Sequence, residues 1–337
     1  MPSVSVKDVA ALAGVSVGTV SNVLNRPERV AEATVVRVQT AIQKLGFVRN
    51  DAARQLRAGH SRAIGLIILD IANPFFAAIA RGAEDHAAHS SLSVLLGNSD
   101  EKVERETTYL DLFEQQRVNG VLISPVGDVV PHLRRLRDHG IPSVLVDRTS
   151  PDTSFSSVSV DDVIGGELAV AHLLEIGRRR IAYVGGPFEI RQASDRLEGA
   201  RRAVAAYPDA SLEVLPVRAL SVLEGRAAGL DIAARAASER PDAIFAANDL
   251  LATGLLQALF MQSTIAVPDE IALIGYDDID FASAAVVPLS SIRQPSSQIG
   301  ETAVQILLEE SADPGIQPRQ IVYQPELVVR ASTVPSS

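Results

Sequence analysis

From residue 63 onward the chain repeats one alternation: a short aliphatic run, then a longer stretch of helical pattern. The runs read AIGLIIL, LSVLL, GVLIS, SVLVD, RIAYVGG, LEVLPV, AIFAAND and IALIGYDD. Strands that are apolar at nearly every position have both faces buried. Helices between them imply parallel pairing, because a parallel neighbour needs a crossover that returns the chain to the same end of the sheet. The body is therefore expected to be α/β, with doubly wound parallel sheet. Eight such strands fit one closed barrel or two open sheets. Late in the chain, LSSIRQPSSQIGETAVQILLEE inserts a further strand and helix before RQIVYQPELVVRAS. That order predicts a chain that crosses between two lobes and returns, with lobe 1 over about 63–160 and 291–320 and lobe 2 over about 161–290 and 321–335.

In open parallel sheets ligands bind beyond the carboxyl ends of the strands. Those ends carry Asp70, Ser124, Asp147 with Arg148, Asn248 with Asp249, and Asp277 with Asp278. Asn73, Pro74, Phe75 and Phe76 open the first body helix, Arg196 lies near the start of SDRLEGARRAV, and Gln294 lies in a crossover strand. Aromatic faces stack on the apolar face of a sugar ring, while Asp, Asn and Arg pair with its hydroxyls in fixed directions. Three positions carry a second reading. Asn73 and Pro74 are also the residues that cap and begin a helix. One of Phe75 and Phe76 is expected in the core, since one face of the helix meets the cleft. Asp277 and Asp278, adjacent on a strand, point to opposite faces and cannot readily act as a catalytic pair. With no set of nucleophile, base and orienting group, an enzyme is not expected.

The first sixty residues differ in kind. Val6, Val9, Ala10 and Ala13 recur at helical spacing, and Gly14 stands where a helix ends in a left-handed residue. Ser16 is placed to cap a second helix, with Val15 and Val20 as a hydrophobic staple. That helix turns Val20, Val23 and Leu24 inward and leaves Val17, Gly18, Ser21, Asn22 and Asn25 outward. Two short helices around a Gly-containing turn make a helix-turn-helix, whose second helix enters the major groove. Val35, Val38, Ile42 and Leu45, followed by Gly46, supply a third helix to close a small core. Asn50 then opens a segment in which Ala52 and Ala53 are small and Leu56 stands exposed between Arg54 and Arg57.

Charge separates the two parts. Residues 1–62 hold nine Lys and Arg against four Asp and Glu, a net +5, in a chain of net charge −10. The remainder is strongly acidic. A basic head on an acidic body fits a nucleic-acid binder whose head alone meets phosphates. Lys7 and Asp8 precede any apolar block of signal-peptide length, and the longest aliphatic run is far short of a membrane span, so a cytoplasmic protein is expected. There is no cysteine, and the six histidines show no HxxxH or HExxH spacing. No disulfide, metal or cofactor is expected.

VKDVAALAGVSVGTVSNVLN, AIQKLGFVRN and AARQL resemble the head and hinge of the lac-repressor family of bacterial transcription regulators. DIANPFFAAIARGAED, VLVDR, ASDRLEGARRAV, FAANDLLATGLLQAL, IGYDDIDFA and LSSIRQP carry the resemblance through the whole body. It implies a helix-turn-helix head over 1–49, a hinge helix and linker over 50–62, and a body over 63–337, shaped like periplasmic sugar-binding proteins, that binds an effector and dimerises. Base reading falls on Val17, Gly18, Ser21 and Asn22, and phosphate contact on Thr19 and Asn25. Ser16 and Ala53 join the DNA-facing set, and Leu56 matches the leucine that wedges into the operator's central minor groove. In the body, Phe75, Phe76, Asp147, Arg148, Arg196, Asn248, Asp277 and Gln294 match ligand positions shared with ribose-type binding proteins, to which the strand-end reading adds Asn73. Purine-binding members carry an arginine where this chain has Ile190 and a stacking aromatic where it has Leu220. There are two departures in the head: Ala31 replaces the usual Ser cap of the third helix, and Gly18 offers no side chain to a base. The expectation is a repressor, dimeric or tetrameric, that binds a pseudo-palindromic operator and answers a monosaccharide. The alternatives are an activator or co-repressed regulator with a nucleoside-type effector and, more remotely, a sugar-binding transport protein.

Overall fold

A computed structural model describes residues 4–47, 61–149, 152–261 and 263–334. The chain divides into two compact units, Met1–Ser61 and Arg62–Ser337. Asn50, Ala52, Ala53, Arg54, Leu56 and Arg57, and with them the expected hinge helix, lie outside the described residues.

The first unit contains helices α1 (Val6–Ala13), α2 (Val17–Asn25) and α3 (Glu32–Leu45). Local chemistry sets each boundary. The Ser5 hydroxyl accepts the Asp8 amide, and the Asp8 carboxylate accepts the Ser5 amide at 2.8 Å, a reciprocal cap that the sequence reading missed. Gly14 ends α1 at φ 63°, a backbone that costs a residue with a Cβ about 1–2 kcal/mol. Ser16 then caps α2 by accepting the Thr19 amide at 3.1 Å. Ala31 begins α3 with no side-chain cap. Val9, Ala10, Ala13, Val20, Val23, Val38, Ala41 and Phe47 form the core, against which Val15, Leu24, Val35, Ile42 and Leu45 pack half-buried.

The second unit holds two six-stranded sheets. The first runs β11 (Gln320–Tyr323), β5 (Ser156–Val160), β4 (Ser143–Val146), β3 (Gly120–Ile123), β1 (Ala63–Ile68), β2 (Ser93–Asn98). The second runs β12 (Glu326–Val328), β10 (Ser290–Arg293), β9 (Ala272–Asp277), β8 (Ala243–Ala246), β6 (Arg180–Gly185), β7 (Ser211–Pro216). All pairs are parallel except β10 with β12. The expected return points at 291 and 321 fall inside strands. β10 pairs with β9 and belongs to lobe 2, and β11 pairs with β5 and belongs to lobe 1, so the chain crosses after Arg293 and again after Tyr323.

The sequence reading also passed over β5, whose SSVSV lacks a continuous aliphatic run. All five residues are buried. The cost of burying hydroxyls is offset by neighbours, since Ser156 donates to Glu310 and Ser157 to Gln320.

Helices pack so closely within the lobes that glycine is required. A Cβ on Gly166, in the helix Asp162–Glu175, would lie 2.1 Å from the Arg196 carbonyl oxygen, in the helix Arg191–Ala205. Gly166→Ala should therefore destabilise the protein by about 1–3 kcal/mol through overpacking, read as a lower denaturation midpoint. An unchanged midpoint would show that these helices separate freely.

Candidate ligand cleft and nucleic-acid interface

The carboxyl ends of both sheets converge on one cleft. Leu69, Asp70, Asn73, Phe75, Phe76, Glu101 and Asp147 line it from lobe 1, and Ile190, Gln192, Arg196, Leu220, Asn248 and Asp277 from lobe 2. The space at its centre is about 30 Å³, room for about two waters, so a ligand enters only when the lobes part.

Two strand-end aspartates anchor the site, and both occupy a backbone region that non-glycine residues rarely adopt. Asp147, after β4, has φ 58°, and Asp277, ending β9, has φ 100°. Each takes a hydrogen bond from the opposite lobe. Gln192 Nε2 donates to the Asp147 carboxylate at 2.8 Å and to its backbone oxygen at 2.7 Å. Asn73 Nδ2 donates to Asp277 at 3.1 Å while its Oδ1 caps the helix Pro74–His89 by accepting the Phe75 amide at 3.0 Å. Asn73 thus caps its helix and lines the cleft at once. Phe75 and Phe76 meet edge to face, 5.1 Å between centroids, and both line the cleft while belonging to the core.

Arg196 is 3% exposed. Its Nε donates to Asp162 at 2.8 Å and its Nη1 to the Ala247 carbonyl at 2.7 Å. Nη1 stands 3.7 Å from Asp277, and the guanidinium carbon sits 3.6 Å from the centroid of the Tyr276 ring. Asn248 caps the helix Asp249–Leu256 and donates to the Leu220 carbonyl at 3.2 Å.

Two residues expected at the ligand fall outside the cleft lining. Arg148 Nη1 donates to the carbonyls of Pro125 and Gly127, each at 3.3 Å, and ties down the loop after β3 instead of lining the cleft. Gln294 lies behind the site and donates to Asp277 at 2.8 Å. Asp278 does point away from Asp277, accepting Arg330 at 2.6 Å and Arg293 at 2.7 Å. Ser124 is buried but does not line the cleft. Gln192 and Glu101 were missed. Gln192 is four residues before Arg196, hence on the same helix face, and Glu101 follows the end of β2, a strand end left out of the sequence survey.

The carboxyl groups here resist ionisation. Burial, reinforced by Asp162, raises Asp147 well above the ordinary range, against the pull of Arg196 and Gln192. Burial pushes Asp277 up to about 6, although Arg196, Asn73 and Gln294 favour its charged form. A carboxyl whose folded pKa exceeds its unfolded value holds more protons in the native state, so stability falls as pH rises through that window. For Asp277 the window runs from 3.8 to about 6. Unfolding free energy should decline across it, and Asp277→Asn should flatten the decline; identical slopes in the two proteins would remove Asp277 from this account.

In the first unit, Ser16, Val17, Gly18, Asn22 and Asn25 are exposed, and Thr19 and Ser21 half-buried, along one outward side of α2. Their side chains differ in availability. The Thr19 hydroxyl shares a 2.9 Å bond with Ser16, and the Asn25 amide bends back to the Ser21 carbonyl at 2.8 Å. The Asn22 amide makes no hydrogen bond to the described residues. At Gly18 the nearest atom to an added Cβ would be Ser16 Oγ at 3.6 Å, so space does not demand glycine there.

The fold and cleft define a two-lobed binding protein carried on the same chain as a helix-turn-helix unit. Residues 5–50 match the family model for bacterial regulatory proteins of the lacI family, and residues 170–333 that for the periplasmic binding protein-like domain. The ribose operon repressor of Escherichia coli strain K12 is 34% identical over 331 residues, covering 97% of this chain and 99% of that protein. The transcriptional repressor PurR of Vibrio parahaemolyticus is 34% identical over 334 residues, covering 97% of each. Among solved structures, the lac repressor dimer bound to operator and the anti-inducer ONPF matches with a TM-score of 0.82 at 27% identity, over 98% of this chain and 99% of that one. A LacI family regulator from Enterococcus faecium with bound ribose matches at 0.74 and 28%, over 82% and 100%. The chain belongs to the lacI family of bacterial regulatory proteins.

Proposed function

We infer that the chain is a sequence-specific transcriptional repressor whose affinity for a pseudo-palindromic operator is set by a monosaccharide in the cleft. The observation that carries the sugar reading is the convergence of Asn73, Phe75, Phe76, Arg196, Asn248 and Asp277, from both lobes, on one cleft. Relatives named for ribose and for purine regulation stand at equal identity, so similarity alone does not choose. Two side chains favour a sugar: Ile190 and Leu220, both aliphatic, line the cleft and offer neither a hydrogen bond nor an aromatic face to a nucleobase. Exposed Leu223, Met261, Phe281 and Val286 supply apolar surface that a second copy would cover, in keeping with a dimer.

Thermal shifts across monosaccharides, nucleobases and nucleosides test the effector. A ligand at 100 times its dissociation constant adds about 2.7 kcal/mol of stability, and a response to purines with none to sugars would reverse the reading. The head is tested at Asn22, whose amide can pair with adenine, whereas arginine favours guanine. Asn22→Arg should change the operator selected from random DNA more than it changes total affinity. Recovery of the same motif by both proteins would take Asn22 out of base reading. Binding that makes about 6–10 phosphate contacts should also weaken about 10³–10⁵-fold between 50 and 200 mM salt.

A further inference from the structure

Among the carboxylates of the cleft, Glu101 stands apart because no side chain or amide of the described residues holds it. It lines the cleft half-buried, in left-handed backbone at φ 57°, and its carboxylate accepts no hydrogen bond from the described residues. Its neighbour Asp100, equally left-handed at φ 54°, is engaged by Lys102 and Arg105 at 2.6 and 3.2 Å. The carboxylate of Asp70, beside Glu101 in the lining, accepts among the described residues only the Ala72 amide, at 2.9 Å, on one oxygen. A second open valence lies in the lining: Asp147 is 3% exposed and its Oδ1 has no partner among the described residues. A buried polar atom left without a partner is rare in native proteins.

The charge inventory is lopsided in the same sense. The lining holds four carboxyl groups, Asp70, Glu101, Asp147 and Asp277, and one cation, Arg196. That cation is already matched by Asp162 at 2.8 Å and Asp277 at 3.7 Å. Nothing in the lining remains to balance an anion, and the carboxylates of Glu101 and Asp70 offer open acceptors, which a donor-rich ligand satisfies and a phosphate does not.

We propose that Glu101, with Asp70, is a specificity-determining contact that makes the cleft accept uncharged or amine-bearing sugars and reject their phosphate esters. This rests on the sugar reading of the cleft. Burial, with Asp70 and then Asp100 adding repulsion, holds the Glu101 carboxyl above its ordinary range, as expected of a carboxylate that waits for a donor. Glu101 accepts a hydroxyl or ammonium proton of the ligand, and its charge repels a phosphoryl group brought to the same end of the cleft.

The test is calorimetric titration of the full chain with D-ribose, D-glucose and D-glucosamine, and with D-ribose 5-phosphate and D-glucose 6-phosphate. The unmodified protein should bind an unphosphorylated member at least about tenfold more tightly than its phosphate ester, the size of one poorly screened charge contact. Glu101→Gln should narrow that ratio and Glu101→Lys should abolish or invert it, with thermal midpoints showing that both variants fold. Equal or tighter binding of an ester by the unmodified protein overturns the proposal and leaves the sugar reading standing. So does a ratio that neither variant changes. Silence from all five compounds, with a response to nucleobases, ends the sugar reading and the proposal with it.

Discussion

Replacing Arg196 with methionine should lower the unfolding free energy by about 3–5 kcal/mol, the usual cost of removing one partner from a buried ion pair. The guanidinium does several things at once in a space closed to water. It neutralises Asp162 at 2.8 Å, stands 3.7 Å from Asp277, covers the Tyr276 ring and satisfies the Ala247 carbonyl at 2.7 Å. Burial works against its charge, and Asp162, Tyr276, Asp277 and Asp147 together outweigh that, so its pKa lies above the usual guanidinium range. Methionine keeps the length of the chain and none of these partners. Adding Asp162→Asn to the variant removes the stranded carboxylate, so the double variant should recover part of the loss. Denaturant titration of the parent, both single variants and the double variant gives the coupling directly. A single variant within about 1 kcal/mol of the parent, or a double variant whose loss is merely additive, would show that the network does not hold the cleft together.

Asp277→Asn should leave a regulator that binds its operator and no longer answers its effector. Asp277 accepts protons from two amides, Asn73 at 3.1 Å and Gln294 at 2.8 Å. Asparagine offers one acceptor and one donor in their place, so either orientation sets an NH2 group against another donor. The cross-lobe bond and the support from Gln294 weaken together, and the proposed ligand contact with them. Residues 1–61 form their own compact unit, so ligand-free operator affinity should stay near that of the parent. Coupling between two sites of one protein is commonly about 5–150-fold in affinity, and that response should collapse toward none. Operator titrations with and without the sugar identified by thermal shift decide it. A variant that responds at the same sugar concentration as the parent would exclude Asp277 from the ligand site.

Much of this was legible in the sequence because it rests on local rules. Glycine and serine punctuation marked the end of α1 at Gly14 and the start of α2 at Ser16, and aliphatic runs marked the strands whose ends carry Asp147, Asn248 and Asp277. Legibility stopped where a residue's role depends on what a distant segment brings to it. β5 hides because two of its buried serines, Ser156 and Ser157, are satisfied by Glu310 and Gln320, more than 150 positions away. Arg148 has the residue type and strand-end position of a ligand contact, yet its guanidinium finds the carbonyls of Pro125 and Gly127 first. Gln192 and Glu101 were within reach of the same rules, had helix-face spacing been followed back from Arg196 and the strand-end survey extended to β2.

The reciprocal bonds from Gln192 to Asp147 and from Asn73 to Asp277 have a kinetic consequence. Buried hydrogen bonds each contribute about 0.5–1.5 kcal/mol, so two of them hold the closed form ahead of the open one by about 1–3 kcal/mol. Were these bonds alone to set the balance, the open fraction would be about 0.6–16%, and the apparent dissociation constant the intrinsic one divided by that fraction. Uptake of effector is gated by spontaneous opening, so the observed rate levels off at the opening rate as concentration climbs, instead of rising without limit. A regulator built this way ignores trace sugar and responds after a delay set by its own chain. Shortening Gln192 to alanine, which removes a latch without touching the proposed sugar contacts, should trade that threshold for sensitivity.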